Sequence, residues 1–350
     1  MNSSTTLVVL LLIIIIVQQS YNTILNLTGS SSTSAFSAGC TLSLGQKSSS
    51  KEDNSPPSLP TTSSRPPSTS KVGLCAIVKD VSRYLDEWAD YNLLALEFTE
   101  LFLYDNNDDF VLEAWAEQRR RLSNQKVTAI HAPGRDEIQE EVYNKCMRQF
   151  GSRVDYMAFF DDDEFLVLRQ HDRVADFLDD TLIPGSSLSI NWRIFGSANK
   201  TDYAPLPVTY RYQYRRPEVA PNVKVIVRPQ DWERMLTAHS VKLKPKQSPP
   251  RSGWRDTSKQ IRNFTKNGVL NEARPDDVAV LHHYKYKSAQ EWYWKSCIRK
   301  DVSTPQNSAT RNCKDTLHVG KEHDDRAWEF LKKKVPKYAL FEQFEDYAQE

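Results

Sequence analysis

Asp155-Tyr156-Met157-Ala158-Phe159-Phe160-Asp161-Asp162-Asp163-Glu164-Phe165-Leu166-Val167-Leu168 is the stretch on which the reading of this chain turns. Asp155–Phe160 has the apolar character of a buried strand, and four carboxylates follow it without a break. Like charges this close raise one another's pKa unless a cation neutralises them. Apolar residues resume at Phe165–Leu168, a setting that a solvated acidic loop rarely has. An oxygen-rich set suits Mn²⁺ or Mg²⁺, which takes one or two carboxylates and completes its shell with phosphate and water. On a strand-to-loop turn, Asp161 and Asp163 are expected to face one way and Asp162 another. One cation would then bridge this D-x-D pair to a nucleoside diphosphate and stabilise charge on the leaving group. A phosphotransferase of the haloacid-dehalogenase type, with Asp161 as nucleophile, has a similar strand ending in D-x-D-x-[TV]. Phe165 at its Thr/Val position counts against that alternative.

Upstream, the pattern predicts a regular alternation. Val72–Val78 is a strand; Asp80 caps a helix bearing Tyr84, Leu85, Trp88, Tyr91 and Leu94–Leu96. Phe98–Tyr104 is a strand ending in the turn cluster 105–109, Val111–Leu122 a helix, Lys126–Ile130 a strand and Asp136–Phe150 a helix. Strands alternating with helices make a parallel α/β sheet, whose ligands gather at the carboxyl ends of the strands. That rule singles out Lys79-Asp80, Asp105-Asn106 and Asp161–Glu164. No Walker-type G-x-x-x-x-G-K-[ST] or dinucleotide G-x-G-x-x-G follows the first strand.

The ends of the chain carry different signals. Leu7–Val17 is an apolar run that residues 18–28 extend, read as an uncleaved signal anchor over 1–28, or else as a signal peptide whose removal would secrete the chain. Residues 29–70 are a Ser/Thr/Pro-rich stem with little to bury, and 71–350 form the globular part. Sequons at Asn26, Asn199 and Asn263 agree with a lumenal domain. The 46 basic and 45 acidic residues of this 350-residue chain lack the basic excess of a nucleic-acid-binding protein. Among five cysteines, Cys75 and Cys146 fall in a buried strand and helix, while Cys297 and Cys313 flank a polar loop and can bridge in an oxidising lumen.

In order along the chain, several blocks resemble glycosyltransferase family 92, with its GT-A-type relatives. They are Cys75–Asp80 with Tyr84–Trp88, Leu103–Asn106 with Asp108-Asp109, and Phe160–Phe165. Trp192–Ser197 follows, then Lys224–Pro229 with His239, and lastly His283-Tyr284 with Lys287-Ser288 and Glu291. Asp80 departs from the commoner Asn of the first block, and no serine follows Asp105-Asn106.

The resemblance implies a GT-A-type, Rossmann-like and mostly parallel sheet with helices on both faces, nucleotide-binding over 71–170 and acceptor-binding over 171–350. It implies an inverting, Mn²⁺-dependent transfer of a hexose, galactose first, from a UDP-sugar to a glycan hydroxyl at a lumenal site, while the anchor and stem give the layout of a single-pass type II protein of the Golgi or another secretory-pathway membrane. Lys79, Asp80, Glu87, Asp105, Asn106 and Asp162 would bind the nucleotide-sugar, and Asp161, Asp163 and His283 the metal, with His282 as the nearest rival of His283. Trp192, Phe195, Gly196 and Ser197 would face the acceptor. Plainer roles stand beside these: Asp80 as a helix cap, Asp105 in an Asx turn, Trp192 and Phe195 in the core. Asp202, then Asp231 and Asp256, are the candidates for the base. A lumenal protein that binds a nucleotide-sugar or glycan without turnover is the non-enzymatic alternative.

Overall fold

The computed structural model describes residues 66–80, 83–123, 125–134, 138–245, 253–262, 264–299 and 320–347. The expected anchor and most of the stem lie outside them, and no helix among the described residues is long and apolar enough to cross a membrane. The described residues all belong to one unit, Ser64–Glu350.

The first half follows the predicted alternation: β1 (Val72–Val78), α1 (Leu85–Asp90), β2 (Glu100–Asp105), α2 (Leu112–Ser123), β3 (Val127–His131), α3 (Gln139–Phe150) and β4 (Tyr156–Phe159). β1 and β2 are buried along their whole length, as expected of strands covered on both faces. They pair in parallel, as do β2 with β3 and β1 with β4. Leu74, Ala76 and Val78 of β1 pack with α1 in one core, while Cys75 and Ile77 pack with α3 in the other, so helices cover both faces. Gly73 is required for contact here, because a Cβ would lie 2.9 Å from the Phe102 ring. α1 runs on through a π-helical turn, Tyr91–Ala95, and is bolted to the next strand by Trp88 Nε1 donating to Glu164 O and Tyr91 OH to Leu166 O. Asp80 does not cap α1: its φ is 53°, and Tyr84 stands at the N-cap.

The second half comprises β5 (Glu164–Leu168), α4 (Val174–Thr181), β6 (Ser186–Ile194), α5 (Val208–Arg211), β7 (Tyr214–Arg215), β8 (Ala220–Val227), β9 (Trp232–Thr237), β10 (Ser240–Leu243), β11 (Gly253–Asp256), β12 (Ala279–His283), α6 (Ala289–Tyr293, continued by a π-helical turn Trp294–Arg299), β13 (Glu322–His323) and α7 (Arg326–Lys334). The main sheet has the order β3-β2-β1-β4-β8-β6-β12-β5, with β11 beside β6. It is mixed, because β8 runs antiparallel to both β4 and β6 and β5 antiparallel to β12. The amino end of β8 therefore reaches the same edge as the carboxyl ends of β4 and β6, with Val225 opposite Phe159 and Val223 opposite Asn191.

Two features depart from the sequence reading. Ser68 and Ser70, assigned to the stem, are tied to the globular unit by hydroxyls that donate to Asp179 at 2.6 and 2.8 Å. Cys75 of β1 and Cys146 of α3 form a disulfide. Cys297 is also disulfide-bonded, and its expected partner Cys313 lies outside the described residues. Replacing Cys146 by Ala opens a bridge closing a separation of 71 residues, and is expected to lower unfolding stability by about 2–4 kcal/mol in urea melts against the oxidised wild type.

Candidate active site

The acidic run forms the tight connection between β4 and β5. Glu164 N donates to Asp161 O at 3.1 Å, and Asp161 N donates to Glu164 Oε2 at 3.0 Å, so Glu164 clasps the turn from beneath. Its side chain is fully buried, and burial holds its carboxyl well above the ordinary range, ahead of the opposing pull of Lys224.

Asp161 and Asp163 part company at this turn. Asp161 Oδ1 accepts from Lys224 Nζ at 2.7 Å, Gln139 Nε2 at 2.7 Å and Tyr143 OH at 3.3 Å, facing β8 and α3. Asp163 faces β12 and α6: His283 Nε2 lies 3.3 Å away, Lys295 Nζ 2.7 Å and Lys287 Nζ 3.7 Å. The expected pairing of Asp161 with Asp163 on one face is therefore not what the fold builds, because each carboxylate turns to the cations nearest its own strand. Asp162, expected to point elsewhere, lines the same cavity as Asp163.

Charge explains the ionisation of the run. Burial pushes Asp161 upward, but the Lys224 ammonium more than reverses this and holds it below the usual range. Asp163 is likewise buried, and Lys295, His283 and Lys287 together hold it far lower. Asp162 is pushed up to about 6 by burial and by the neighbouring Asp163. His283 is kept below its ordinary pKa by burial, against the raising pull of Asp163. The register of β12 on β5, His283 opposite Glu164, delivers that imidazole, and Tyr284 N fixes Asp163 O at 2.9 Å. His282 faces the other way, onto Phe195 and 3.7 Å from Asp324.

Beside Asp162 and Asp163 is a cavity of about 300 Å³ whose wall carries Arg83, Lys285, Lys287, Lys295 and Arg299. Asp80 stands on the same wall, its Oδ2 accepting from Trp294 Nε1 at 2.8 Å, and Lys79 O accepts from Arg299. A larger cavity, about 450 Å³, lies at the opposite end of β4 among Asp155, Arg228 and Trp232. It has none of the strand-end carboxylates, so the smaller one is the candidate site.

Several expected site residues are engaged elsewhere. Glu87 is buried and accepts from Val208 N, Thr209 N and Thr209 Oγ1, holding the start of α5. Asp105 accepts from Asn107 N and Leu112 N, the Asx-turn alternative, and Asn106 donates to Ala132 O. Phe195, Gly196 and Ser197 are buried, with the Phe195 ring 4.5 Å from that of Tyr284. Trp192 has its ring 4.5 Å from His283 and 5.5 Å from His239. Asp231 accepts from Gly185 N, Asp256 from Ser258 Oγ, and Asp202 from Thr201 Oγ1.

Lys224, Gln139, Tyr143 and Lys295 had no assigned role from sequence. Lys224 left a trace, since a lysine inside the apolar strand run Val223–Val227 needs a carboxylate partner; the others left none. Replacing Lys224 by Met is expected to lower stability by about 3 kcal/mol at neutral pH. In the wild type the Asp161 contribution is present above its ordinary pKa of 3.8 and is lost as the pH falls through the lowered folded value. In the variant, burial and the neighbouring Asp163 push the Asp161 pKa up with no ammonium against them, so stability should instead fall as the pH rises, a reversal that denaturation from pH 3 to 8 would reveal.

Among the described residues, no three His, Cys, Asp or Glu side chains are gathered as a metal cluster. Asp163 and His283 nevertheless fit a divalent cation as a two-donor set, a low-pKa carboxylate beside an imidazole, and behind them Glu164 Oε1 stands without a hydrogen-bond partner among the described residues, 4.0 Å from His283 Nδ1. Asp161 turns its Oδ1 to Lys224 and Gln139 instead.

Comparison with known proteins bears on the same residues. A glycosyltransferase family 92 protein of Ricinus communis is 29% identical over 244 residues, which cover 66% of this chain and 37% of that protein. The chain thus spans little more than a third of that relative's length. Among solved structures, S. aureus TarS 1–349 in complex with UDP is 17% identical, covers 45% of this chain and 47% of its own, and has a TM-score of 0.27. A putative glucose-1-phosphate thymidylyltransferase from Bacillus anthracis in complex with a sucrose is 12% identical, with coverage of 38% and 61% and a TM-score of 0.28. Scores of this size assign no fold. The sequence profile of glycosyltransferase family 92, by contrast, matches residues 98–324, from the strand before the Asp105 turn to Asp324 beyond His283, and the chain belongs to that family.

Proposed function

We propose that this chain is an inverting glycosyltransferase that moves a hexose, galactose first, from a UDP-sugar to a glycan hydroxyl. The observation that carries this reading is the cavity at the carboxyl end of β4, where Asp162 and Asp163 meet five cationic side chains. Such a wall suits a diphosphate flanked by a divalent cation, and family membership supplies the sugar transfer. Mn²⁺ or Mg²⁺, when bound, would neutralise charge gained by the departing diphosphate.

Asp163 and His283 would hold that cation. Lys287, Lys295 and Arg299 would receive the phosphate oxygens, and Lys287 is suited to this because burial lowers its pKa and leaves it short of full compensation by Asp163. Asp162, on the same wall, would accept hydrogen bonds from sugar or ribose hydroxyls. Asp161 would keep the turn in place through Lys224 rather than touch the cation. Trp192, next to His283, would bound the acceptor side.

The Cys75–Cys146 bridge and the disulfide-bonded Cys297 support an oxidising compartment, in keeping with a lumenal, Golgi-type enzyme held by its N-terminal apolar segment. Nucleotide release from a panel of UDP- and GDP-sugars, with and without simple glycosides and Mn²⁺, tests the function; no release from any donor would sink it. Asp163→Ala is expected to fold normally and to weaken Mn²⁺-dependent UDP binding at least tenfold. Unchanged affinity by calorimetry would remove Asp163 from the metal site.

A further inference from the structure

The reading above leaves a proton unassigned. In an inverting transfer the acceptor hydroxyl attacks from the face opposite the diphosphate and must lose its proton there. Asp163 and the cationic wall lie on one side of the acidic turn, so the base belongs on the other, where Asp161 faces β8. The carboxylates suggested by sequence do not serve. Asp231 and Asp256 are tied into backbone turns, and Asp202 belongs to the loop whose Tyr203 N donates to Gln290 of α6, on the diphosphate side. Glu164 lies beneath the turn, fully buried.

The topology brings one other group to that side. The tip of the β9–β10 hairpin packs against the amino end of antiparallel β8, and this end lies at the ligand edge of the sheet. His239 sits at that tip. Its Nδ1 is 2.8 Å from Val223 O, and a carbonyl can only accept, so Nδ1 carries the hydrogen and Nε2 holds the lone pair. No hydrogen bond from a described residue engages Nε2. The ring stands edge-on to Trp192, which in turn stands on His283, and Val223 is the immediate neighbour of the Asp161-binding Lys224. Burial, ahead of the nearby Lys224 ammonium, lowers the His239 pKa to about 4, so the ring is neutral over the working range.

We infer that His239 is the acceptor-side base of the reaction, resting on the glycosyltransferase reading above. Nε2 takes the hydroxyl proton as the acceptor oxygen bonds to the anomeric carbon. The bond from that carbon to the diphosphate breaks with its electron pair on the leaving oxygen, and the imidazolium then returns its proton to solvent. Trp192, itself buried, shields one edge of the ring.

The test uses the full chain and its His239→Gln and His239→Ala variants. UDP-galactose, UDP-glucose and UDP-N-acetylglucosamine are the donors, and p-nitrophenyl galactoside, glucoside and fucoside the acceptors. Both variants should bind UDP within about twofold of wild type by calorimetry. Their kcat for transfer to the glycoside should fall 100-fold or more, the size expected for loss of a general base. Transfer within tenfold of wild type overturns the assignment. Loss of UDP binding in both variants does so too, by making His239 part of the donor site. A wild type that releases no nucleotide from any donor overturns the parent reading and this one together, and is thereby distinguished from a failure of His239 alone.

Discussion

The Lys224 ammonium, fully buried and 2.7 Å from Asp161, is what allows a buried strand to run straight into four carboxylates. Without a counter-charge at that point, the end of β4 would carry desolvated negative charge against Asp162, Asp163 and Glu164, each repelling the next. Lys224 answers at the first of them and Glu164 lies only 3.8 Å from the same nitrogen, so one cation steadies both ends of the turn. The sheet has to be mixed for this to happen. Only an antiparallel strand between β4 and β6 can carry a side chain from its own amino end to their carboxyl edge.

From that arrangement follows the division of the acidic run. The same peptide that commits Asp161 to β8 and α3 turns Asp162 and Asp163 toward β12 and α6, where the cationic wall stands. Two carboxylates of one short motif thus serve different ends, one architectural and one facing the cavity. Glu87 and Asp105 show the same economy on a smaller scale. Each lies close to the cleft in sequence pattern, yet each satisfies the backbone of a helix start, at α5 and α2 respectively.

Much of the first half was legible because β1, β2 and β4 are buried on both faces, so their apolar runs needed no partner to be recognised. The acidic turn was legible because four carboxylates between apolar runs have few stable settings. What could not be read is what depends on distance along the chain. The pairing of β8 with β4 joins segments some 66–70 residues apart, with Met157 opposite Val227 and Phe159 opposite Val225. Nothing local to Lys295, on a helix after the sheet is complete, points to Asp163. Phe195, Gly196 and Ser197 look like a ligand wall in sequence because glycine and serine follow an aromatic ring; in the fold, β12 and β7 close over them.

The Cys75–Cys146 bridge ties this chemistry to where the chain is made. Tyr143 and Gln139 precede Cys146 by three and seven residues, one and two turns back along the same face of α3, and both reach Asp161. Material produced in a reducing cytosol would hold that face by packing alone. Preparations from oxidising and reducing hosts would then be chemically distinct proteins with one sequence, differing first at the acidic turn between β4 and β5.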